Sequence, residues 1–209
     1  MCPLQQSIFL QGYEFMQFLS LSKGLSFRGP QPISRKFSQH ISLTGVERTF
    51  AQDDVIVTKT DLKGHITYAN KMFCDIASIT EFEALGAPHS FLRHPDMPRC
   101  IFKLLWDRIS SGHEIFAYVV NMASSGDHYW VFAHVTPTFD KSGAITGYHS
   151  NRRVPDQGVV ATISSLYQGL KAIEDSADDR NKGLEASAEK LLQILNEKGV
   201  GYDEFIFSL

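Results

Sequence analysis

The sequence predicts an α+β fold: a five-stranded antiparallel sheet with short helices on one face, flanked by N- and C-terminal helices. Three observations carry this expectation. Five segments rich in β-branched and aromatic residues begin at positions 55, 65, 114, 128 and 144. The last three are separated by tight-turn sequences, SSGD and DKSG. Short helical patterns occupy the interval between the second and third. Strand, strand, short helices and three more strands close with the shortest connections as a single antiparallel sheet.

Each element has its own signals. VIVTKTD (55–61) and HITYAN (65–70) form a hairpin across the LKG turn. Asn70 is a good N-cap, and Met72, Phe73, Ile76 and Ala77 follow at helical spacing. In TEFEALG (80–86), Thr80 and Glu83 have the spacing of a capping box, while Gly86 and Pro88 end the helix. Pro98 suits the first turn of a longer helix with Ile101, Leu104, Leu105 and Ile109 as its apolar face and Gly112 as its stop. The strands EIFAYVVNMA (114–123), HYWVFAHVTPTF (128–139) and AITGYHSNRRV (144–154) complete the set. Both faces of the middle one are apolar: Tyr129, Val131, Ala133 and Val135 on one, Trp130 and Phe132 beside His134 and Thr136 on the other. Such a strand is covered on both sides.

These signals divide the chain into an extension or linker (1–50), the sheet domain (51–155) and a helical segment (156–209). In the extension, Ile8, Phe9, Phe15, Phe18 and Leu19 suit a short amphipathic helix or hairpin face, and RGPQPISRKFSQH reads as a linker. In the last segment, Ile163, Leu166, Tyr167, Leu170 and Ile173 make one apolar stripe, and Leu184, Ala188, Leu191, Leu192 and Leu195 a second. Two such helices pack as a hairpin, on the sheet or against a second subunit.

Composition narrows the class. A 43% apolar content in 209 residues supports one packed core with accessories. A net charge of -3 without a Lys/Arg cluster argues against broad nucleic-acid binding. Cys2, Cys74 and Cys100 are too scattered for a disulfide framework or a zinc site, which favours a reducing, cytoplasmic setting. No stretch has the roughly 20 apolar residues of a membrane span. The motif scan finds no nucleophile elbow, P-loop, HExxH or paired carboxylates, so no enzyme is expected.

The densest chemistry lies in LRHPDMP, where Arg93, His94 and Asp96 stand between Pro95 and Pro98. The prolines restrict the backbone and so lower the entropy cost of presenting the charged groups. An arginine suits bidentate bonds to phosphate or a ring carbonyl, and a histidine donates or accepts near neutral pH. The segment is either a ligand-gripping bend or a salt-bridged turn capping the helix that follows. On the strand from 114, alternation puts Ile115, Ala117, Val119 and Asn121 on one face. Asn121 offers a donor and an acceptor to a ring edge, or it begins the turn.

VIVTKTDLKGHITYAN, LRHPDMPRCIFKLLWD, NMASSGDHYWVFAHVTP and GYHSNRR together resemble the PAS sensor domain of bacterial aerotaxis receptors, over residues 53–154. The resemblance implies a PAS fold whose cavity holds FAD non-covalently and whose redox state is read out. By position it implies flavin contacts at Arg93, His94, Asp96 and Asn121. The family tryptophan six residues before that asparagine is Ile115 here, so one aromatic wall is missing at that spot. Neither Cys74 nor Cys100 lies in a G-x-N-C-R-F-L-Q type photo-adduct motif. Haem is the alternative cofactor, with His94, His113, His128, His134 and His149 as candidate ligands by residue type. The expected function is a soluble flavin-binding sensor, a homodimer reporting redox or oxygen state to a signalling protein in trans. A ligand-free docking module is the alternative; a small cavity packed by Phe73, Phe91, Trp106 and Phe132 would favour it.

Overall fold

A computed structural model describes residues 41–209. The apolar face expected around Ile8–Leu19, and most of the linker, lie outside the described residues. The five strands are β1 (Ile56–Thr60), β2 (Ile66–Ala69), β3 (Ile115–Met122), β4 (His128–Phe139) and β5 (Ile145–Arg153). They form one sheet in the order β2-β1-β5-β4-β3, and every neighbouring pair is antiparallel. Between β2 and β3 run α1 (Lys71–Ala77), α2 (Glu81–Ala84), a 3-10 turn (His89–Leu92) and α3 (Arg99–Ser110). After β5 come α4 (Gln157–Ser176), α5 (Arg180–Lys198) and α6 (Tyr202–Phe207).

The short helices form where their caps were legible. The side chain of Asn70 accepts the Phe73 amide at 3.1 Å, opening α1. The same amide group also accepts from Val57 N–H (3.0 Å) and donates to Val55 C=O (2.7 Å). Asn70 therefore stitches the start of α1 to β1. Asn70→Ala removes all three bonds from a half-buried site, and we expect it to lower the unfolding free energy by about 2 kcal/mol. Urea unfolding with an unchanged m-value reads this loss. Thr80 and Glu83 complete the capping box at α2.

Strand alternation sorts the sheet into two faces. Tyr129, Val131, Ala133 and Val135 of β4 point to the side of the short helices. Trp130, Phe132 and His134 point to the other side, where the C-terminal helices lie. There Tyr167 of α4 donates its hydroxyl to the Tyr118 carbonyl at 2.7 Å, in a buried contact. Phe207 of α6 packs edge-on against Phe116 and Phe132. The covering expected from a two-sided apolar strand is thus intramolecular. α4 and α5 pack as a hairpin, with Leu170, Leu191 and Leu195 buried. The helix α6, at 6 residues, is too short to show a periodicity in the sequence.

Candidate functional site

Between the sheet and α3 lies a cavity of about 440 Å³. That volume suits a drug-sized or cofactor-sized ligand. Its floor is β-sheet: Thr58 and Thr60 of β1, Val119 and Asn121 of β3, Ala133 and Val135 of β4, and Tyr148, Ser150 and Arg152 of β5. Its roof is α3, which turns Phe102, Leu105, Trp106 and Ile109 inward, together with His89 and Arg93 from the connecting segment. Phe102, Leu105, Trp106 and Ile109 recur at spacings of three and four, so they share one side of the helix.

The bend at 92–98 is held by its apolar residues. Leu92 and Met97 are fully buried. The backbone of Arg93 forms an isolated antiparallel bridge to Asn121. That bridge places the two candidate contacts, far apart in sequence, side by side in one wall. The Arg93 guanidinium lies over the Phe102 ring, 4.0 Å from its centroid. Its Nε is buried and has no hydrogen-bond partner. Burial, followed by the Arg180 charge, lowers its pKa from the ordinary arginine value.

His94 and Asp96 turn the other way, and neither lines this cavity. His94 packs beside His128, with ring centroids 5.7 Å apart. Its Nδ1 accepts the Asp96 amide at 3.2 Å. Burial depresses the His94 pKa below the ordinary histidine value, against the pull of Asp96. A neutral ring with Nδ1 as acceptor makes no ion pair with the Asp96 carboxylate, although Oδ2 lies 3.6 Å away. Nor does this segment cap the helix after it. Pro98 precedes α3 as its N-cap residue and supplies no side-chain bond, contrary to the expected place in the first turn. The cap comes from α4 instead: the buried Glu174 carboxylate accepts the Cys100 amide at 3.0 Å.

Ile115 is fully buried on the inner face but lies outside the cavity wall. Its neighbour Phe116 stacks on His134 on the outer face, 4.1 Å between centroids. The aromatic surface of the chamber comes from other elements. Trp106 packs edge-on against Tyr148 at 5.5 Å, and Phe102 lies beneath Arg93. Trp106 also rests on Gly64 in the β1–β2 turn, where an added Cβ would stand 3.1 Å from the indole. Gly64 has φ +80°, so both its backbone and its neighbour require glycine.

Two residues that sequence reasoning did not single out are central. Arg152 donates from Nη2 to Thr58 Oγ1 (2.8 Å) and to His89 Nε2 (2.6 Å). Burial lowers the Arg152 pKa to about 10, which still leaves it protonated at neutral pH. Burial and the Arg152 charge push His89 down to about 3, so its ring is neutral and its Nε2 accepts. One available signal was parity: Arg152 alternates with Tyr148 and Ser150 on the inward face of β5. Of the five histidines considered as haem ligands, only His149 lines the cavity; His89 also lines it, with its Nε2 engaged by Arg152. Among the described residues no cluster of three His, Cys, Asp or Glu is arranged to hold a metal. Of the side chains named for a filled interior, Phe73 is buried in the core and Phe91 packs against it, whereas Phe132 faces outward and Trp106 stands at the cavity wall.

Residues 66–151 match the sequence family described as PAS fold. Over these residues the chain has the PAS fold. It is 36% identical over 135 residues to the aerotaxis receptor of Escherichia coli (strain K12), covering 65% of this chain and 26% of the receptor. It is 26% identical over 102 residues to the nitrogen fixation regulatory protein of Klebsiella pneumoniae, covering 49% of this chain and 21% of that protein. The chain thus spans about a quarter of the length of these curated relatives. Among solved structures it is similar to the dark structure of the blue-light photoreceptor Aureochrome1 LOV. There the identity is 23% and the TM-score 0.47, over 58% of this chain and 88% of that one. The PAS architecture expected from sequence, five antiparallel strands with short helices on one face, is the one observed. Among the described residues no helix is long and apolar enough to cross a membrane.

Proposed function

We propose that this PAS sensory domain binds a flavin, most specifically FAD, with the ring in the cavity beneath α3, and reports its redox state to a partner protein. The observation that carries the reading is the convergence of Arg93 and Asn121 in one wall of a cofactor-sized chamber. A buried Nε without a partner on Arg93 is a donor that a ligand acceptor satisfies. Phe102, Trp106 and Tyr148 provide the apolar and aromatic surface that a planar ring requires. The similarity to an aerotaxis receptor agrees with a redox or oxygen signal.

A bound flavin supplies the electron-transfer chemistry; the chain supplies binding and orientation. Asn121 offers its amide to a ring edge. Arg93 offers directed N–H groups to a ring carbonyl or, where the chamber adjoins the polar cleft around Arg99 and Arg180, to phosphate. His94 and Asp96 enter the reading as supports: they fix the bend whose other face presents Arg93. α3 roofs the chamber and meets the C-terminal helices at both ends, through Cys100 with Glu174 and Arg108 with Asp203. A sensor without turnover fits these groups, since the imidazole and hydroxyl that adjoin in the chamber, His89 and Thr58, are both engaged by Arg152.

Freshly purified full-length chain is expected to be yellow. Its visible absorption should bleach with dithionite and return in air, and heat should release FAD identified by mass. A colourless protein that, stripped and offered FAD, leaves flavin fluorescence unquenched would overturn the reading.

A further inference from the structure

We infer that the floor of the cavity is a recognition site for a negatively charged, acceptor-rich edge of the ligand, and that Arg152 sets this preference. The inference deepens the flavin reading and rests on it only for the identity of the ring.

Arg152 is 5% exposed. Its partners, the Thr58 hydroxyl, the His89 ring and the Phe73 ring 5.8 Å away, are all uncharged, and both hydrogen bonds use Nη2. The remaining guanidinium N–H groups have no protein partner among the described residues. No carboxylate there lies within ion-pair distance of it. The contrast with other arginines is direct: Arg99 meets Glu174 at 3.0 Å and Arg108 meets Asp203 at 2.8 Å. A buried charge without a counter-charge is costly, and proteins normally pair it.

The neighbours of Arg152 reinforce its character. Ser150 lies two residues earlier on β5, directly across the ladder from Thr58. Its hydroxyl is buried, lines the cavity and has no partner. The buried Tyr129 hydroxyl also lacks a partner and feels the Arg152 charge. The floor therefore presents one buried cation and the Ser150 hydroxyl, with donors to spare; the Tyr129 hydroxyl lies behind it, outside the lining. Its complement is a ligand edge with several acceptors and negative charge. For a flavin, that edge is the side of the ring that carries the carbonyl groups.

A purely structural role for Arg152 predicts something different. If it only tied Thr58 to His89, its loss would loosen the domain. Yet Thr58 Oγ1 and His89 Nε2 already lie 3.3 Å apart and can bond each other once the guanidinium is gone. Arg152→Met should then leave the ligand-free domain at least as stable as wild type while weakening the ligand.

The test uses full-length chain stripped of ligand, as wild type, Arg152→Met and Arg152→Lys. Each is titrated with FAD, 2-naphthoate and the neutral 2-naphthylmethanol, reading fluorescence and thermal midpoint. The expected result is a loss of at least about tenfold in FAD affinity for Arg152→Met, with partial recovery in Arg152→Lys. Wild type should favour 2-naphthoate over the alcohol, and Arg152→Met should lose that preference without a lower ligand-free midpoint. Naphthoate binding without FAD binding sinks the flavin reading and leaves this inference standing. FAD binding unchanged by Arg152→Met overturns the inference and leaves the flavin reading intact. No binding of either anion, or a lower midpoint with unchanged affinities, also overturns it.

Discussion

Replacing Glu174 by alanine lowers the unfolding free energy by about 3 kcal/mol at neutral pH, because a buried ionic partner is removed. The Glu174 carboxylate is fully buried. One oxygen accepts from Cys100 N–H and Ser187 Oγ–H, each at 3.0 Å; the other accepts from Arg99 Nε at 3.0 Å. Arg99 in turn donates to the Arg180 carbonyl at 2.8 Å. Three helices thus meet at one side chain: the start of α3, α4 itself, and α5 through Ser187 and, by way of Arg99, Arg180. Alanine leaves the Cys100 amide buried and unpaired; Ser187 keeps the Leu184 carbonyl as acceptor at 2.9 Å, and Arg99, partly exposed, turns to water and recovers some of the loss. That recovery places the estimate at the low end of the usual range for broken buried pairs, about 3–5 kcal/mol. Glu174→Gln keeps the volume but sets an amide N–H₂ against the Arg99 donor, so it should cost nearly as much.

The pH dependence follows with a definite sign. Burial alone would raise the Glu174 pKa. Hydrogen bonds from the backbone at Arg99 and Cys100, then from the Arg99 guanidinium and Ser187, outweigh it and hold the carboxyl below its ordinary value of 4.5. A carboxyl depressed in the folded state stabilises the fold above its unfolded pKa. That stabilisation is lost as pH falls below 4.5 and through the folded value. Wild type should therefore lose stability more steeply on acidification than Glu174→Gln. Urea unfolding at pH 7 and pH 4 measures both quantities; equal losses in the two proteins would remove Glu174 from the account.

The position of this carboxylate also bears on signalling. The roof of the chamber is α3, and the N-terminus of α3 is held by α4 rather than by its own cap. A ligand state that shifts Phe102 or Trp106 moves a helix whose first turn is tied to the C-terminal hairpin. Close packing makes that tie stiff. A Cβ on Gly183 of α5 would stand 2.7 Å from the Glu174 carbonyl, so the two helices touch backbone to backbone here. For the proposed readout, these contacts offer a short route along α3 to the C-terminal hairpin. Coupling by this route requires two arrangements of α3, and amide exchange of α3 and α4 with oxidised and reduced ligand would measure them.

Particular elements explain what was legible in the sequence. β-Branched runs, tight turns and the caps at Asn70 and Thr80 are local signals, and each appears at its expected place. Alternation along β3 and β4 correctly separated an inner from an outer face. The bend at 93–96 was recognised by composition, but composition carries no direction. Which of Arg93, His94 and Asp96 turns inward depends on the burial of Leu92 and Met97 and on the bridge to Asn121, both of them tertiary. The pairing of His89 with Arg152 spans 63 residues and has no local pattern. The helix face containing Phe102 and Trp106 was hidden because Ile101, Leu104, Leu105 and Ile109 offered a second apolar stripe on the same 12 residues. The cap supplied by Glu174 was unreadable for a similar reason: an acid that opens the polar run EDSADDRNKG looks like part of a solvated stretch.

Arg93→Ala is expected to weaken FAD by roughly a hundredfold, the largest effect of any single change in the chamber. Hydrogen bonds from a charged donor contribute about 1.5–3 kcal/mol each, and about 2.7 kcal/mol corresponds to that factor. Two effects add at this position. The guanidinium supplies directed donors, one of them now buried without a partner. Its stem and plane also cover the Phe102 ring, so truncation opens the roof to water and weakens every polar contact inside. Arg93→Lys separates the two: it keeps the charge and most of the stem, and loses the planar fork. If shape and fork dominate, lysine should recover less than half of the lost binding free energy. If charge alone matters, lysine should restore FAD affinity to within a few-fold. His94→Gln is the internal control, since its side chain faces away from the chamber and retains a side-chain acceptor for the Asp96 amide. It should change FAD affinity by less than about threefold. Fluorescence titration of stripped protein decides the matter, because a His94 effect as large as that of Arg93 would mean that the bend turns its other face to the ligand.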